Sequence, residues 1–372
     1  MNIRDEARWQ RLEPELHRTL ETSANTHVSF VWNESDEHAA SIDYKWHSIL
    51  AEYLDDSEKS ELLAGLREAG FTVTVYDGER AFLREVLGGV WKTIPFANKY
   101  VFNTTGSGTG RARTSLIPAF CDLCQIPICS ADGLTAGLLE NKFYTFRLLE
   151  ALRFPTPRTW LYDLHNGWVD GPPESGVQVI CKPCCESSSI GIDAENVFPY
   201  NEPKLEFLQR MSSAFRQPTL VQEFIPGYEV EVPVLPFPRP TCPAAVGVGI
   251  NGQTLLGDAI LTNSVVVGGE YEFYDFSDPF PSCTERLKST AEAAYTALGL
   301  SGLTRVDFRV NSAQQIFITD FNTPPHLTDH SSCWFAFKSA GFRYSDLMAA
   351  VVTIGRMNSI RASEAGPDLD VT

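Results

Sequence analysis

The apolar pattern changes character part-way along the chain, and that change restricts the fold more than any other feature. Early on, the short apolar runs "HVSFVW", "FTVTVY" and "KYVFN" alternate with helix-period segments such as "DYKWHSILAEYL" and "EKSELLAGLREAG". Strands alternating with helices build a parallel sheet with helical crossovers. In the second half, "VQVICKP", "TLVQEFI", "EVEVPVL", "AAVGVGI" and "TLLGDAIL" follow one another with few helices between them, a pattern that predicts antiparallel sheet. Helices are expected before the first strand, at "FYTFRLLEALRF" before its "PTP" stop, and again at "TERLKSTAEAAYTALG" and "YSDLMAAVVTI". The class is therefore α/β joined to α+β. Its expected parts are an N-terminal extension with an α/β domain over 1–141, a small central domain over 142–217, a C-terminal domain over 218–356 and a frayed tail over 357–372.

Composition narrows the partners. The chain has 372 residues, 43% hydrophobic and 21% charged, which is ordinary globular usage. No apolar run reaches the roughly 20 residues that span a bilayer, and the start "MNIRDEARW" lacks a signal-peptide core, so a soluble, cytoplasmic protein is expected. A formal net charge of −17 opposes nucleic-acid binding. It leaves room for an anionic nucleotide, which a local Lys/Arg cluster can hold against the distant field. The nine cysteines include two C-x-x-C pairs, Cys121/Cys124 and Cys181/Cys184. Their separation far exceeds that of a zinc ribbon, and buried free thiols are the expectation.

The stretch "TRVDFRVNSAQQIFITDFN" reads as a β-hairpin with charges on one face. Arg305, Asp307 and Arg309 share one side of its first strand, and Ile316, Ile318, Asp320 and Asn322 share one side of its second. An even loop through "NSAQ" brings Arg305 and Asp307 beside Asp320 and Asn322, whereas an odd loop parts the aspartates. Two carboxylates and an amide oxygen beside a guanidinium suit Mg²⁺ with phosphates. A solvent-facing stripe, or an Arg305–Asp320 pair, fits the hairpin equally well.

Three other stretches carry possible chemistry. "VICKPCCESSSIGID" ends a strand at Lys182 and opens a loop of small residues, Ser187 to Ser189 and Gly191, whose N–H and hydroxyl groups suit an anion. A Ser-rich loop is otherwise an ordinary flexible connection. "TTGSGTGRART" is a second cradle, but its glycine spacing fits a dinucleotide fold poorly. "TLVQEFIPGYEVEV" turns the chain at Pro226-Gly227 between Gln222–Ile225 and Glu229, presenting backbone groups and a carboxylate.

Taken in order, these elements resemble the ATP-grasp superfamily, and most closely its D-alanine–D-alanine ligase branch, over about residues 97 to 355. The resemblance implies ATP bound between two antiparallel sheets, two Mg²⁺ ions (Mn²⁺ substituting), and small amino-acid and amine substrates. It also implies a homodimer. It assigns Lys142 and Lys182 to the ATP phosphates, and Ser187 to Ser189 to the covering loop, with Ser188 near the substrate. Gln222, Glu223, Phe224 and Ile225 fall to adenine, and Glu229 to the ribose. Asp307, Asp320 and Asn322 fall to the metal, Arg305 to the tetrahedral intermediate, and Ser331 to an acceptor carboxylate.

Several positions depart from that branch. The glycine loop whose glutamate meets the donor amine is replaced by "VWNESDEH", leaving Glu34, Asp36 or Glu37 as substitutes. Arg111 and Arg113 stand where acidic residues are usual, suited either to an extra donor carboxylate or to surface solubility. His326 replaces a glycine and can contact substrate or carry a proton. Phe280 stands where tyrosine is commoner, and the loop lysine is missing. A specialised carboxylate–amine ligase is expected. An ester-forming or cyclising ligase, a non-catalytic ATP binder, and a dehydrogenase using "TTGSGTG" are the alternatives.

Overall fold

The computed structural model describes residues 6–33 and 43–364. It opens with helix α1 (Glu6–Glu21), strand β1 (Thr26–Trp32), α2 (Asp56–Glu68), β2 (Thr72–Asp77), α3 (Glu79–Leu87) and β3 (Asn98–Asn103). Helices α4 (Leu116–Leu123) and α5 (Gly133–Glu140) follow. The three strands form a parallel sheet in the order β2-β1-β3, as the alternating pattern predicts. Strand β1 is buried along its whole length, which is why it reads as a continuous apolar run. Helix α2 starts on a reciprocal cap: Asp55 accepts from the Glu58 N–H, and Glu58 accepts from the Asp55 N–H.

The helix expected over "DYKWHSILAEYL" does not form; only a 3₁₀ turn, Ile49–Glu52, appears there. Asp43 Oδ1 instead accepts from the N–H groups of Tyr44 and Ile49, both at 2.7 Å. Such local bonds compete with helix hydrogen bonding. The apolar residues that suggested a helix are used elsewhere. Tyr44 and Ile49, with Trp46 at their edge, pack into the core of the next domain against Phe207 and Phe215.

That domain contains α6 (Lys142–Ala151), β4 (Thr159–Asp163), β5 (Gly167–Trp168), β6 (Gln178–Pro183), β7 (Val197–Pro199), α7 (Leu205–Phe215) and β8 (Thr219–Glu223). Its antiparallel sheet runs β5-β4-β8-β6-β7. Because β8 pairs with both β4 and β6, the central sheet extends to Glu223, past the boundary expected at 217. The remainder comprises β9 (Tyr228–Val234), β10 (Val246–Gly249), α8 (Asn263–Gly268), β11 (Glu272–Asp275), α9 (Pro281–Ala297), β12 (Thr304–Val310), β13 (Ile316–Asn322), α10 (Ser332–Ser339) and α11 (Tyr344–Glu364). Its antiparallel sheet runs β11-β10-β9-β12-β13. "TLLGDAIL" makes no strand; Gly257 only bridges to Gly227. Helix α11 buries Leu347, Met348 and Val352 in a core shared with α1, α2 and β3.

The hairpin of β12 and β13 reaches the expected arrangement by an unexpected route. Its connection is five residues, Asn311 to Gln315, since Val310 pairs with Ile316. That odd loop pairs Phe308 with Ile318 and would put the aspartates on opposite faces. The register then slips by one residue at a bulge, Thr319, and resumes with Asp307 opposite Asp320 and Arg305 opposite Asn322. Ile316 and Ile318 thus join the core with Phe308 and Val310, while Asp320 and Asn322 face the other side. The single-face reading of all four even positions is corrected by that bulge.

Gly227 sits at φ +152°, and a Cβ there would lie 2.0 Å from the Val310 carbonyl oxygen. Gly227→Ala is expected to cost about 3 kcal/mol or more, read as a lower urea midpoint at unchanged m-value.

Candidate active site

A cleft of about 880 Å³ opens between the two antiparallel sheets, with residues of the N-terminal domain closing one side. Its floor is the charged face of β9, β12 and β13. Register places Glu231, Asp307 and Asp320 in a row across these strands. Arg305 donates to both oxygens of Asp307, at 2.7 and 2.8 Å, and its third nitrogen lies 3.3 Å from Glu231. Asn322 Nδ2 donates to Asp307 Oδ2 at 2.8 Å. From the opposite wall Lys142 Nζ reaches both oxygens of Asp320, at 2.7 and 2.6 Å, and Lys182 Nζ donates to the Thr319 carbonyl at 3.2 Å. The bulge therefore aims a backbone oxygen into the cleft as well as resetting the register.

Burial governs the protonation of these groups. It pushes the Asp307 carboxyl up to about 7; Arg305 pulls the other way, and Glu231 and Asp320 oppose that pull. Burial also works against the Asp320 charge, but Lys142 and Lys182 outweigh it and hold this carboxyl below the usual range. Lys142 is buried too, yet Asp320 raises it, whereas burial lowers Lys182. Burial raises Glu229, although Arg309 pairs with it at 2.9 Å.

Most of the anticipated residues line this cleft: Gln222 to Ile225 at the hinge, Glu229, and Ser187 to Ser189. The hinge is held by Arg309, which lies on the same strand face as Arg305 and Asp307. Its Nε donates to the Ile225 carbonyl at 2.9 Å, and its NH2 to Gly257 O at 2.7 Å. The serine loop is clamped from both sides. Glu52 accepts from the Ser187 N–H and hydroxyl at 2.9 and 2.6 Å, and Ser189 Oγ donates to Leu261 O at 2.8 Å. Ser188 and Ser189 both have positive φ, near +50°. His326 also faces the cleft, 3.1 Å from Glu58 and 2.6 Å from the Thr328 hydroxyl.

Four of the anticipated residues are engaged within the fold or lie off the cleft. Arg113 is neither a surface residue nor free for a substrate carboxylate. It is buried among Glu52, Glu140 and Glu186, at 2.8, 2.9 and 3.0 Å. Arg111 is exposed and does not line the cleft. Ser331 is buried as the N-cap of α10, where its hydroxyl donates to Thr328 O at 2.7 Å and accepts from the Trp334 N–H. Phe280 packs its ring against Tyr228 and Phe276, both at 5.0 Å, in the C-terminal core. Glu34, Asp36 and Glu37 lie outside the described residues. The sequence reading missed Glu52, Glu231 and Tyr271. Glu231 was open to detection, since it alternates with Glu229 in "YEVEV".

The D-ala D-ala ligase C-terminus family matches residues 173–353. The D-alanine–D-alanine ligase of Bordetella pertussis is 28% identical over 245 residues, covering 62% of this chain and 71% of the relative. The chain is similar to the D-alanine–D-alanine ligase family of the ATP-grasp superfamily. The fold agrees with that placement. A Bacillus anthracis D-alanine–D-alanine ligase crystallised with ATP superposes with a TM-score of 0.65 at 14% identity, over 91% of this chain and 99% of that one. The VanG D-Ala:D-Ser ligase of Enterococcus faecalis gives 0.60 at 17% identity, over 89% and 99%. In ATP-grasp terms, the central and C-terminal sheets are the two jaws of the cleft.

The row of carboxylates and the Asn322 amide offer hard oxygen donors only, the donor set that suits a divalent cation of the Mg²⁺ type, and Arg305 and Lys142 hold those carboxylates here. The Arg113 cluster beside it has one guanidinium for three carboxylates. Burial pushes Glu140 up to about 8, Arg113 opposes this, and Glu52 and Glu186 add to it. Between about 4.5 and 8 the folded chain keeps a proton that the unfolded chain releases. This contribution to stability is whole below 4.5 and is lost as pH rises through 8, at no more than about 1.4 kcal/mol per pH unit. Urea midpoints at pH 5.5 and 8.5 should therefore fall less between the two values in Glu140→Gln than in the parent.

Proposed function

We propose that this chain is an ATP- and Mg²⁺-dependent carboxylate–amine ligase that activates an amino-acid carboxylate as an acyl phosphate and joins it to an amine, releasing ADP. The observation that carries this reading is the register of β12 and β13. It sets Asp307, Asp320 and Asn322 beside Arg305 and directly under Lys142 and Lys182. Magnesium held by Asp307, Asp320 and Asn322 would neutralise the triphosphate oxygens. The chain's own groups do the rest. Lys142 and Lys182 meet the phosphates from the central domain, Glu229 the ribose, and the Gln222–Ile225 hinge the adenine. The Ser187–Ser189 loop keeps water from the acyl phosphate, with Glu52 holding it shut. Arg305, beside Asp307, stabilises the oxyanion that forms when the amine attacks.

Substrates other than those of a cell-wall dipeptide ligase are supported by two departures. The Ser331 hydroxyl is tied into a helix cap, and Arg113 is bound by three protein carboxylates. A role in specialised biosynthesis is part of the same proposal.

ADP release from Mg·ATP, measured with amino acids and amines singly and in pairs and with product masses read alongside, tests the reading. One donor–acceptor pair should give ADP and a condensed product. Asp320→Ala should lower the rate by about 100-fold or more, by removing a metal ligand and leaving Lys142 unpaired. Tight ATP binding without ADP release across the panel would overturn the ligase in favour of a non-catalytic binder.

A further inference from the structure

We propose that the acceptor is a cationic amine without a carboxylate, a diamine or polyamine, whose attacking ammonium is received by Glu231. The inference rests on the ligase reading above and names the acceptor class for that site.

Glu231 is central to it. This residue stands in the middle strand of the floor, directly across from Asp307, and lines the cleft with its side chain only 6% exposed. Its Oε2 has no hydrogen-bond donor; its neighbour is Arg305 NH1, 3.3 Å away in an ion pair. Buried carboxylate oxygens are normally saturated with donors. An ammonium brings three N–H groups and a positive charge, and so satisfies both the vacant valence and the surplus charge.

The cations of the cleft leave nothing for an acceptor carboxylate. Among the described lining residues, Lys142 is held by Asp320, and Lys182 by the Thr319 carbonyl. Arg309 is held by Glu229 and by backbone carbonyls, and Arg305 by Asp307 and Glu231. When a divalent cation draws on Asp307, Glu231 remains as the counter-charge of Arg305. The wall as a whole is acidic, with twelve Asp and Glu against four Lys and Arg among the described lining residues. ATP carrying two divalent cations is close to neutral and leaves that excess in place.

A second carboxylate group awaits the far end of such a molecule. Glu58, Glu61 and Asp329 line the same cleft near His326. Tyr271, also in the lining, feels the charge of both Glu231 and Glu58. Burial and then Glu231 push its hydroxyl up to about 12, with Glu58 adding to the effect and Arg305 opposing it. Its ring packs 4.5 Å from His330 and offers an aromatic surface of the kind that attracts alkylammonium groups.

The proton balance closes without a further reactant. Glu231 takes one proton from the ammonium, and the freed lone pair forms the C–N bond at the acyl carbon. The C–O bond to phosphate breaks, and the second nitrogen proton leaves with inorganic phosphate.

Calorimetric titration of the full chain with Mg²⁺ and β,γ-methylene ATP, followed by 1,4-diaminobutane, butylamine or 4-aminobutanoate, tests this. The diamine should bind at least about tenfold more tightly than 4-aminobutanoate. Glu231→Gln should lose about tenfold or more of diamine affinity while still binding the nucleotide analogue, which shows that the variant is folded. Equal or tighter binding of 4-aminobutanoate, no binding of any of the three amines, or unchanged diamine affinity in Glu231→Gln would each overturn the proposal. The analogue titrated alone reads the ligase assignment separately. If it fails to bind, that assignment falls, while the preference among amines is still read without nucleotide.

Discussion

One extra residue in one strand holds the site together. Without the bulge at Thr319, the five-residue loop would turn Asp320 and Asn322 into the hydrophobic core and Phe321 out into the cleft. With it, the apolar half of β13 packs under the sheet and the polar half faces the cleft. A β-sheet has a side-chain period of two, so a single slip converts one face into the other. The bulge costs a ladder pairing and gives two things in return. Asp307 meets Asp320 in register, and a backbone carbonyl becomes a partner for Lys182.

How far the sequence discloses this depends on the range of the interaction. Strand-period and helix-period patterns located both antiparallel sheets, because those patterns record which face is buried. The polar face of the hairpin was equally legible, and Arg309 belongs to it. The loop parity was not, since loop length and bulge compensate each other and neither leaves a mark in the apolar pattern. Ser331 shows the same limit: a serine before a helix is equally a cap and a substrate contact, and only the backbone decides. Residues 43–53 misled for a different reason. Their apolar side chains are spaced like a helix face, but they serve a neighbouring domain, and Asp43 diverts the backbone. Arg113 lies between these cases. Its charge is visible, but three glutamates from separate parts of the chain converge on it only in the fold.

Electrostatics gives the site its individuality. The cleft of this chain is lined by lysines from the central domain and by many carboxylates: Glu231 on the floor, Glu58 and Glu61 in the wall, and Glu52 and Glu186 beside the serine loop. Packed carboxylates repel one another in a low-dielectric setting, so each is held by a cation or a backbone donor, or waits for one. Where that last condition applies, the fold carries information about its ligand.

The segment over residues 43–53 has a mechanical consequence. Trp46 packs against Phe207 and Phe215, and its indole N–H donates to Asp193. His47 accepts from the Gly191 N–H, Glu52 from Ser187, and Glu186 from the Tyr44 hydroxyl. The Ser187–Ser189 loop is thereby stitched to a strap from another domain. A hinge swing of the central domain must either carry that strap along or draw an indole out of its socket. Opening of the cleft by such a swing then requires the detachment of an aromatic anchor and not only the movement of a loop.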